Sequence, residues 1–230
     1  MSRILEMFNN KKLTLIMSLP DNSIEMARAA VAGGADALKV HCNVKHKASG
    51  VSFGSLEEEG AKLAAILKES KIPVGIVPGD KDRKPTIDEM NEIVNMGFDF
   101  IDMNINDMPD FLFSFNRITK VAAIEKESQL EKVVDAKKSN FKAIEAAIIP
   151  HLGYGQNLTI GDLRSYISIA ISSDLPVIVP TQRKIMPDEV PILSDTGIKA
   201  IMIGAIVTGK TPSMINSAVM EFRKVIDELS

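Results

Sequence analysis

Lysine, histidine and asparagine alternate at positions 39, 41 and 43, and an aspartate and two asparagines alternate at 102, 104 and 106. A period of two puts side chains on one face of a β-strand, so Lys39, His41 and Asn43 share one polar face and Asp102, Asn104 and Asn106 another. The residues between them are apolar, which marks both strands as buried. A buried polar group without a partner costs about 1–3 kcal/mol, so these side chains must meet a ligand or one another. Lys39 could hold an anion or act as an acid or base, with burial lowering its pKa. Its other reading is an ion pair with a carboxylate from a different strand. His41, Asn104 and Asn106 are expected as substrate contacts, and Lys39 and Asp102 as acid-base candidates.

Two further carboxylates accompany apolar runs, Glu125 after Val121 to Ile124 and Glu145 within Ala143-Ile144-Glu145-Ala146-Ala147. Either could be a base. Glu125 lies nearer the end of its run and is the expected catalytic carboxylate, while Glu145 sits lower, where it could pair with Lys39. Tyr154, a further expected substrate contact, lies in the loop Leu152-Gly153-Tyr154-Gly155-Gln156-Asn157, which can fold over a ligand. The loop over residues 44–55 is long enough to act as a lid. The three histidines are scattered and no metal-ligand spacing is present, so no metal or other cofactor is expected.

The elements that must position these residues alternate along the chain. Short apolar runs at 13–17, 37–40, 74–77, 100–103, 121–124, 143–149, 177–179 and 200–203 read as strands. Between them, 22–31, 56–70, 86–95, 129–138, 159–172 and 214–229 read as helices with one apolar face, and a further helix opens near Pro187. Ser55 with Glu58 and Thr86 with Glu89 are spaced as capping boxes. Strands that alternate with helices form a parallel sheet, and eight such units predict a (β/α)8 barrel over residues 1–230 as one domain. A doubly wound sheet would show a glycine-rich turn after its first strand, whereas this chain has Ser18-Leu19-Pro20-Asp21. In a barrel the residues after each strand converge on one mouth, and phosphate sites occur in the loops after strands 7 and 8. Gly204 ends the eighth run, and a helix beginning near Thr208 to Thr211 would aim N–H groups at an anion there.

Composition agrees with a barrel. The 230 residues are 45% hydrophobic and can bury a large core. Net charge is −3, with 27 basic and 30 acidic residues interspersed, which argues against nucleic acid or an anionic membrane as partner. One cysteine, Cys42, excludes an internal disulfide, and no long apolar stretch marks a signal or a membrane span. A cytoplasmic protein is expected, with exposed helix faces that could support a homodimer.

Several segments together resemble the ribulose-phosphate-binding barrel superfamily, and within it the bacterial N-acetylmannosamine-6-phosphate 2-epimerases. They are IPVGIVPGD, PTIDEMNEIVNMGFDFIDMN with Asp107 and Pro109, Gly153-Tyr154, and PVIVPTQRKIMPDEVPI through AIMIGAIVTG. The resemblance implies a phosphate site at Gly204 and Ala205 with Thr208 nearby, joined by Gln182 and Arg183. It also sets Lys39 where the family has an arginine and Asn104 where it has an aspartate. The family's proton-transfer lysine and glutamate correspond here to Pro78 and Pro180, which cannot ionise, and its first-strand glutamine is missing.

The expected function is therefore an isomerase, epimerase or lyase that moves a proton beside a carbonyl of a small phosphorylated metabolite such as a sugar phosphate. Two alternatives stand beside it. One is a catalytically silent barrel that binds a sugar phosphate or nucleotide, and the other is a barrel that holds flavin mononucleotide by its phosphate.

Overall fold

The computed structural model describes residues 2–129, 131 and 140–229. Eight parallel strands close on themselves in sequence order: β1 Thr14–Ser18, β2 Ala37–His41, β3 Val74–Val77, β4 Phe100–Asn104, β5 Thr119–Ile124, β6 Phe141–Ala146, β7 Val177–Pro180 and β8 Ala200–Ile203. This is the (β/α)8 barrel that the alternation predicts. The helices are α1 Arg3–Asn10, α2 Ile24–Ala32, α3 Leu56–Glu69, α4 Ile87–Met96, α5 Phe111–Ser114, α6 Ile160–Ser172, α7 Val190–Ser194, α8 Ala205–Thr208 and α9 Pro212–Asp227. The helix expected over 129–138 falls largely outside the described residues.

Capping chemistry fixes several helix starts. Ser55 with Glu58, Thr86 with Glu89 and Thr159 with Asp162 each form the reciprocal box, in which the cap oxygen takes one free N–H and the third residue's carboxylate takes another. The turn after β8 differs from expectation. Its short helix starts immediately after Gly204, and the long helix α9 starts at Pro212, with Thr211 as its cap.

Two cores result. One lies between sheet and helices, where Leu15, Leu38, Ile101, Ile144 and Ile201 meet residues such as Leu63, Ile93, Ile169 and Val219. The other fills the lower barrel interior, where Ile16, Ala37, Phe100, Val121, Ala143, Ile178 and Ala200 pack on Ile4 and Phe8 of α1. Helix α1 is held across the barrel bottom by Arg3, whose guanidinium binds Asp99 at 2.7 Å. Gly75 of β3 belongs to this layer as well. A Cβ there would collide with the Phe100 ring, so glycine is what lets that ring occupy the barrel axis.

Above this apolar layer the interior turns polar. Register places Ser18 of β1 opposite Lys39 of β2, and Ala123 of β5 opposite Glu145 of β6, each one step above the apolar layer. The topmost inward positions are His41, Val77, Asn104, Glu125 and Ala147, which together with Gly204 line the mouth. Among the described residues, no helix is long and apolar enough to cross a membrane.

Candidate active site

The mouth encloses a cavity of about 510 Å³. Its floor is an ion cluster. Lys39 Nζ lies 3.0 Å from Asp102 Oδ2 and 3.2 Å from Glu145 Oε2, and all three residues are buried. The ion-pair reading of Lys39 is the one observed, with carboxylates from two other strands, and Lys39 also lines the cavity. Burial pushes its pKa down, but Asp102 and Glu145 outweigh that, so the net shift is upward, opposite to the direction expected from burial alone. Lys39 is thus held as a cation. Glu145 moves the other way from an ordinary carboxyl: burial and then the Asp102 charge raise it to about 8, against the lowering effect of Lys39. One ammonium cannot neutralise two buried carboxylates, so the second retains a proton near neutral pH.

Asp102 does not line the cavity. It sits behind Lys39 and fixes its position, with Oδ1 buried and unpartnered among the described residues. Glu125 stands at the exposed rim, 3.5 Å from Lys47 of the loop after β2. Of the two carboxylates in contact with the floor cation, Glu145 is the one that lines the cavity. Its sequence signal was a charge inside the apolar run Ala143-Ile144-Glu145-Ala146-Ala147 of β6, a pattern that a buried pair and a reactive group share.

On one side of the floor, His41 packs against two rings, His46, at 4.3 Å between ring centroids, and Phe53, at 4.8 Å, and these two lie 6.3 Å from each other. The loop that brings these rings over begins at Asn43, whose φ of 56° turns the chain back immediately after β2. The Asn43 side chain anchors that turn on the Pro78 carbonyl and Glu89, each at 3.1 Å. The loop closes by a bridge between Lys45 and Ser52 and is held from β8's side by Lys210, which donates to the Ser49 carbonyl. Burial, then the neighbouring His46 and Lys39, holds His41 far below the usual imidazole range. Burial, with Lys39 and Lys210, brings His46 down to about 4. Both rings are neutral at physiological pH, and His46 Nδ1 bonds the Ser49 hydroxyl at 2.9 Å. In the sequence His46 is one of several polar residues in the long loop after β2, with only weak support as a ligand, and it reaches the site through the fold of that loop.

The opposite wall is built by the loops after β6 and β7. Gln182 Nε2 donates to the Tyr154 hydroxyl at 2.7 Å and to the Ala147 carbonyl at 3.2 Å, and Oε1 accepts the Ile149 N–H at 3.1 Å. The amide expected to hold phosphate therefore has both donors engaged within the wall. Arg183, expected beside it, lies outside the cavity lining. Its Nε and Nη2 bind Asp162 at 2.9 and 3.1 Å, and Nη1 reaches the Gly153 carbonyl at 3.2 Å. Gly204 lines the cavity at the end of β8, but its N–H is taken by Thr181 Oγ1 at 3.1 Å. Ala205 opens α8 behind it. Thr208 is buried, donates to the Gly209 carbonyl and does not line the cavity. Asn104 faces the cavity and accepts the Asn106 N–H at 2.9 Å, while Asn106 lies beyond the end of β4 in the turn. Ser18, Thr181 and Ile206 complete the β8 side.

The lining thus combines one fixed cation, one carboxyl that changes charge close to neutral pH, and neutral donors and acceptors from Asn104, Tyr154 and Ser18. Lys45, Lys47, Lys81 and Lys126 stand at the rim, where they favour the approach of an anion. Among the described residues no group of three or more His, Cys, Asp or Glu side chains could hold a metal ion.

Solved structures with the same architecture include thiamine phosphate pyrophosphorylase from Pyrococcus furiosus, at 18% identity and a TM-score of 0.63, over 95% of this chain and 97% of that one. Tryptophan synthase from Mycobacterium tuberculosis superimposes at 14% identity and a TM-score of 0.72, over 98% of both chains. Phosphoribosyl anthranilate isomerase from Thermus thermophilus does so at 12% identity and a TM-score of 0.67, over 95% of this chain and all of that one. At these identities the likeness is one of fold. No protein-family model matches the sequence, and no curated protein matches it.

Proposed function

We propose that this chain is an enzyme that transfers a proton beside a carbonyl group of a small phosphorylated metabolite, as an isomerase, epimerase or lyase. The observation that carries this reading is the contact of Lys39 with Glu145 on the cavity floor. Proton abstraction next to a carbonyl develops negative charge on oxygen, and a cation fixed beforehand stabilises that charge without reorganising. Lys39, locked by Asp102, meets this requirement. Glu145 in its ionised form takes the proton from carbon and returns it. A carboxyl raised toward neutrality is a stronger base than an ordinary one, which suits removal of a weakly acidic proton.

The substrate's phosphate is assigned to the β8 side of the cavity, near Gly204, Ser18 and Ile206, with the rim lysines drawing the anion in. Remote binding of this kind orients the reacting carbon over Glu145. Two of the similar folds, a thiamine phosphate pyrophosphorylase and a phosphoribosyl anthranilate isomerase, are named for phosphorylated compounds, which agrees with this general class. Pro78 and Pro180 stand where the resembled epimerases place their lysine and glutamate, so the reaction is assigned to the Lys39–Glu145 pair and to a different substrate.

The test is proton exchange in D2O, followed by proton NMR over a panel of keto and aldo sugar phosphates. Wild type should wash out the proton next to the carbonyl of its substrate, and Glu145→Gln should slow the exchange at least a hundredfold. Compounds that raise the melting temperature but exchange no proton would make the barrel a binding protein.

A further inference from the structure

Gln182 has an amide whose orientation its surroundings dictate. The Ile149 N–H points at one terminal atom, which must therefore be the oxygen, and the Ala147 carbonyl faces the other, which must be the nitrogen. Turning the amide over would set donor against donor and acceptor against acceptor. Nε2 has two hydrogens. One goes to Ala147 and the other to the Tyr154 oxygen at 2.7 Å. That phenol oxygen is consequently an acceptor toward Gln182, and its own proton must be given to something else. No acceptor for it exists among the described residues, yet Tyr154 lines the same cavity as Lys39 and Glu145.

The phenol is also rigidly placed. The Gly155 N–H binds the Gln182 carbonyl at 2.9 Å, and the Lys184 N–H binds that of Gln156 at 2.8 Å. Arg183 holds Gly153 from beneath. A Cβ at Gly153 would approach the guanidinium to 2.9 Å, so glycine is required for that contact. A side chain fixed this firmly, with one unspent donor facing a cavity, is prepared for an acceptor on a ligand.

We propose that Tyr154 is a substrate-contacting hydrogen-bond donor: its O–H, aimed by Gln182, donates to an oxygen of the phosphorylated carbonyl compound that the cavity takes, and Gln182 is its positioning residue. This rests on the functional reading above. Burial raises the phenol's pKa and outweighs the lowering by Gln182, so the proton stays in place across the physiological range.

The chain contains two tyrosines and no tryptophan, and the other tyrosine, Tyr166, is fully buried. A near-ultraviolet tyrosine difference spectrum therefore reports on Tyr154. The probes are ribulose 5-phosphate, dihydroxyacetone phosphate, unphosphorylated ribulose and inorganic phosphate, with the melting temperature as an independent measure of binding. A sugar phosphate that raises the wild-type melting temperature should also shift the tyrosine band, and Tyr154→Phe should abolish the shift and weaken binding about tenfold. A shift with inorganic phosphate alone would place the acceptor on the phosphate, and a shift only with a carbonyl compound would place it at the reacting end. Gln182→Leu should weaken binding in wild type and have no further effect in Tyr154→Phe, as expected of a residue that acts through the phenol. Binding without a band shift, or equal affinity in Tyr154→Phe, overturns the role of Tyr154. Additive losses from the two variants overturn the positioning role of Gln182. If none of the four probes changes the wild-type melting temperature, the functional reading itself fails and the Tyr154 role goes with it.

Discussion

Arg183 and Asp162 meet fork to fork, Nε on Oδ2 at 2.9 Å and Nη2 on Oδ1 at 3.1 Å. The same carboxylate caps α6 by accepting the Thr159 N–H at 2.9 Å, so one aspartate joins a helix start to the loop after β7. Through the Gly153 carbonyl this joint extends to the loop that carries Tyr154. Arg183, three residues past the end of β7, is here a structural clamp on the cavity wall.

Arg183→Ala should therefore destabilise the fold by about 2–3 kcal/mol, because it leaves a largely buried carboxylate with fewer partners. Arg183→Lys should recover little, since an ammonium cannot reproduce the two parallel bonds. Urea denaturation measures both. A variant of unchanged stability that loses only phosphate affinity would show the guanidinium acting on ligand instead.

Removing the floor cation should be costlier. Lys39→Met leaves Asp102 and Glu145 buried without a counter-charge, and a loss of about 3–5 kcal/mol is expected. Adding Asp102→Asn and Glu145→Gln should return part of that stability while leaving the protein unable to exchange protons. If the single variant unfolds at the wild-type denaturant concentration, the cluster is solvated.

Glu145 also sets a pH dependence. Its folded pKa of about 8 lies above that of an unfolded glutamate, so the folded state binds the extra proton between about 4.5 and 8. The stability from this group is full below the unfolded pKa and is lost as pH rises through 8, with a slope of at most about 1.4 kcal/mol per pH unit. Wild type should melt higher at pH 6 than at pH 9, and Glu145→Gln should remove that difference. Proton exchange should run oppositely, rising through pH 8 as the base ionises.

His46 has the reverse sign. Its folded pKa of about 4 lies below the unfolded imidazole value, so its contribution is present above about 6.5 and is lost as pH falls toward 4. The loop bridged by Lys45 and Ser52 should open in acid, read as faster amide exchange over residues 44–53. His46→Gln should shift that opening to lower pH. An unchanged profile would show that other groups govern the loop.

Gly75→Ala should cost about 3 kcal/mol or more, since the new methyl meets the Phe100 ring in a filled layer. Phe100→Leu should partly rescue it in the double variant, by thermal melting. Independent, additive effects would mean that the two do not touch.

The barrel itself was legible because each buried strand is a short apolar run with its own punctuation. β3 and β8 match the sequence boundaries, and the others shift by a few residues at their ends. Helix α1 escaped notice because it is eight residues long, has no side-chain cap bond and buries only Ile4 and Phe8. Period two correctly put Lys39 and Asp102 inside, but which carboxylates meet the lysine depends on the stagger among β2, β4 and β6, and no local pattern encodes that. The environment of Arg183 was equally hidden, since Asp162 reaches it from the start of a helix 21 residues earlier. Asn106 looked like a third member of the β4 face because the alternation continues in the sequence after the strand has ended at Asn104.

The helix laid across the bottom has a consequence for traffic. With Ile4 and Phe8 stoppering one end of the barrel, the chamber is a cul-de-sac, and whatever enters past the loop that Lys210 tethers must back out by the same door. Two ligands cannot pass in opposite directions at once, so occupancy by one excludes arrival of the next, and a slow departure would delay every later binding event.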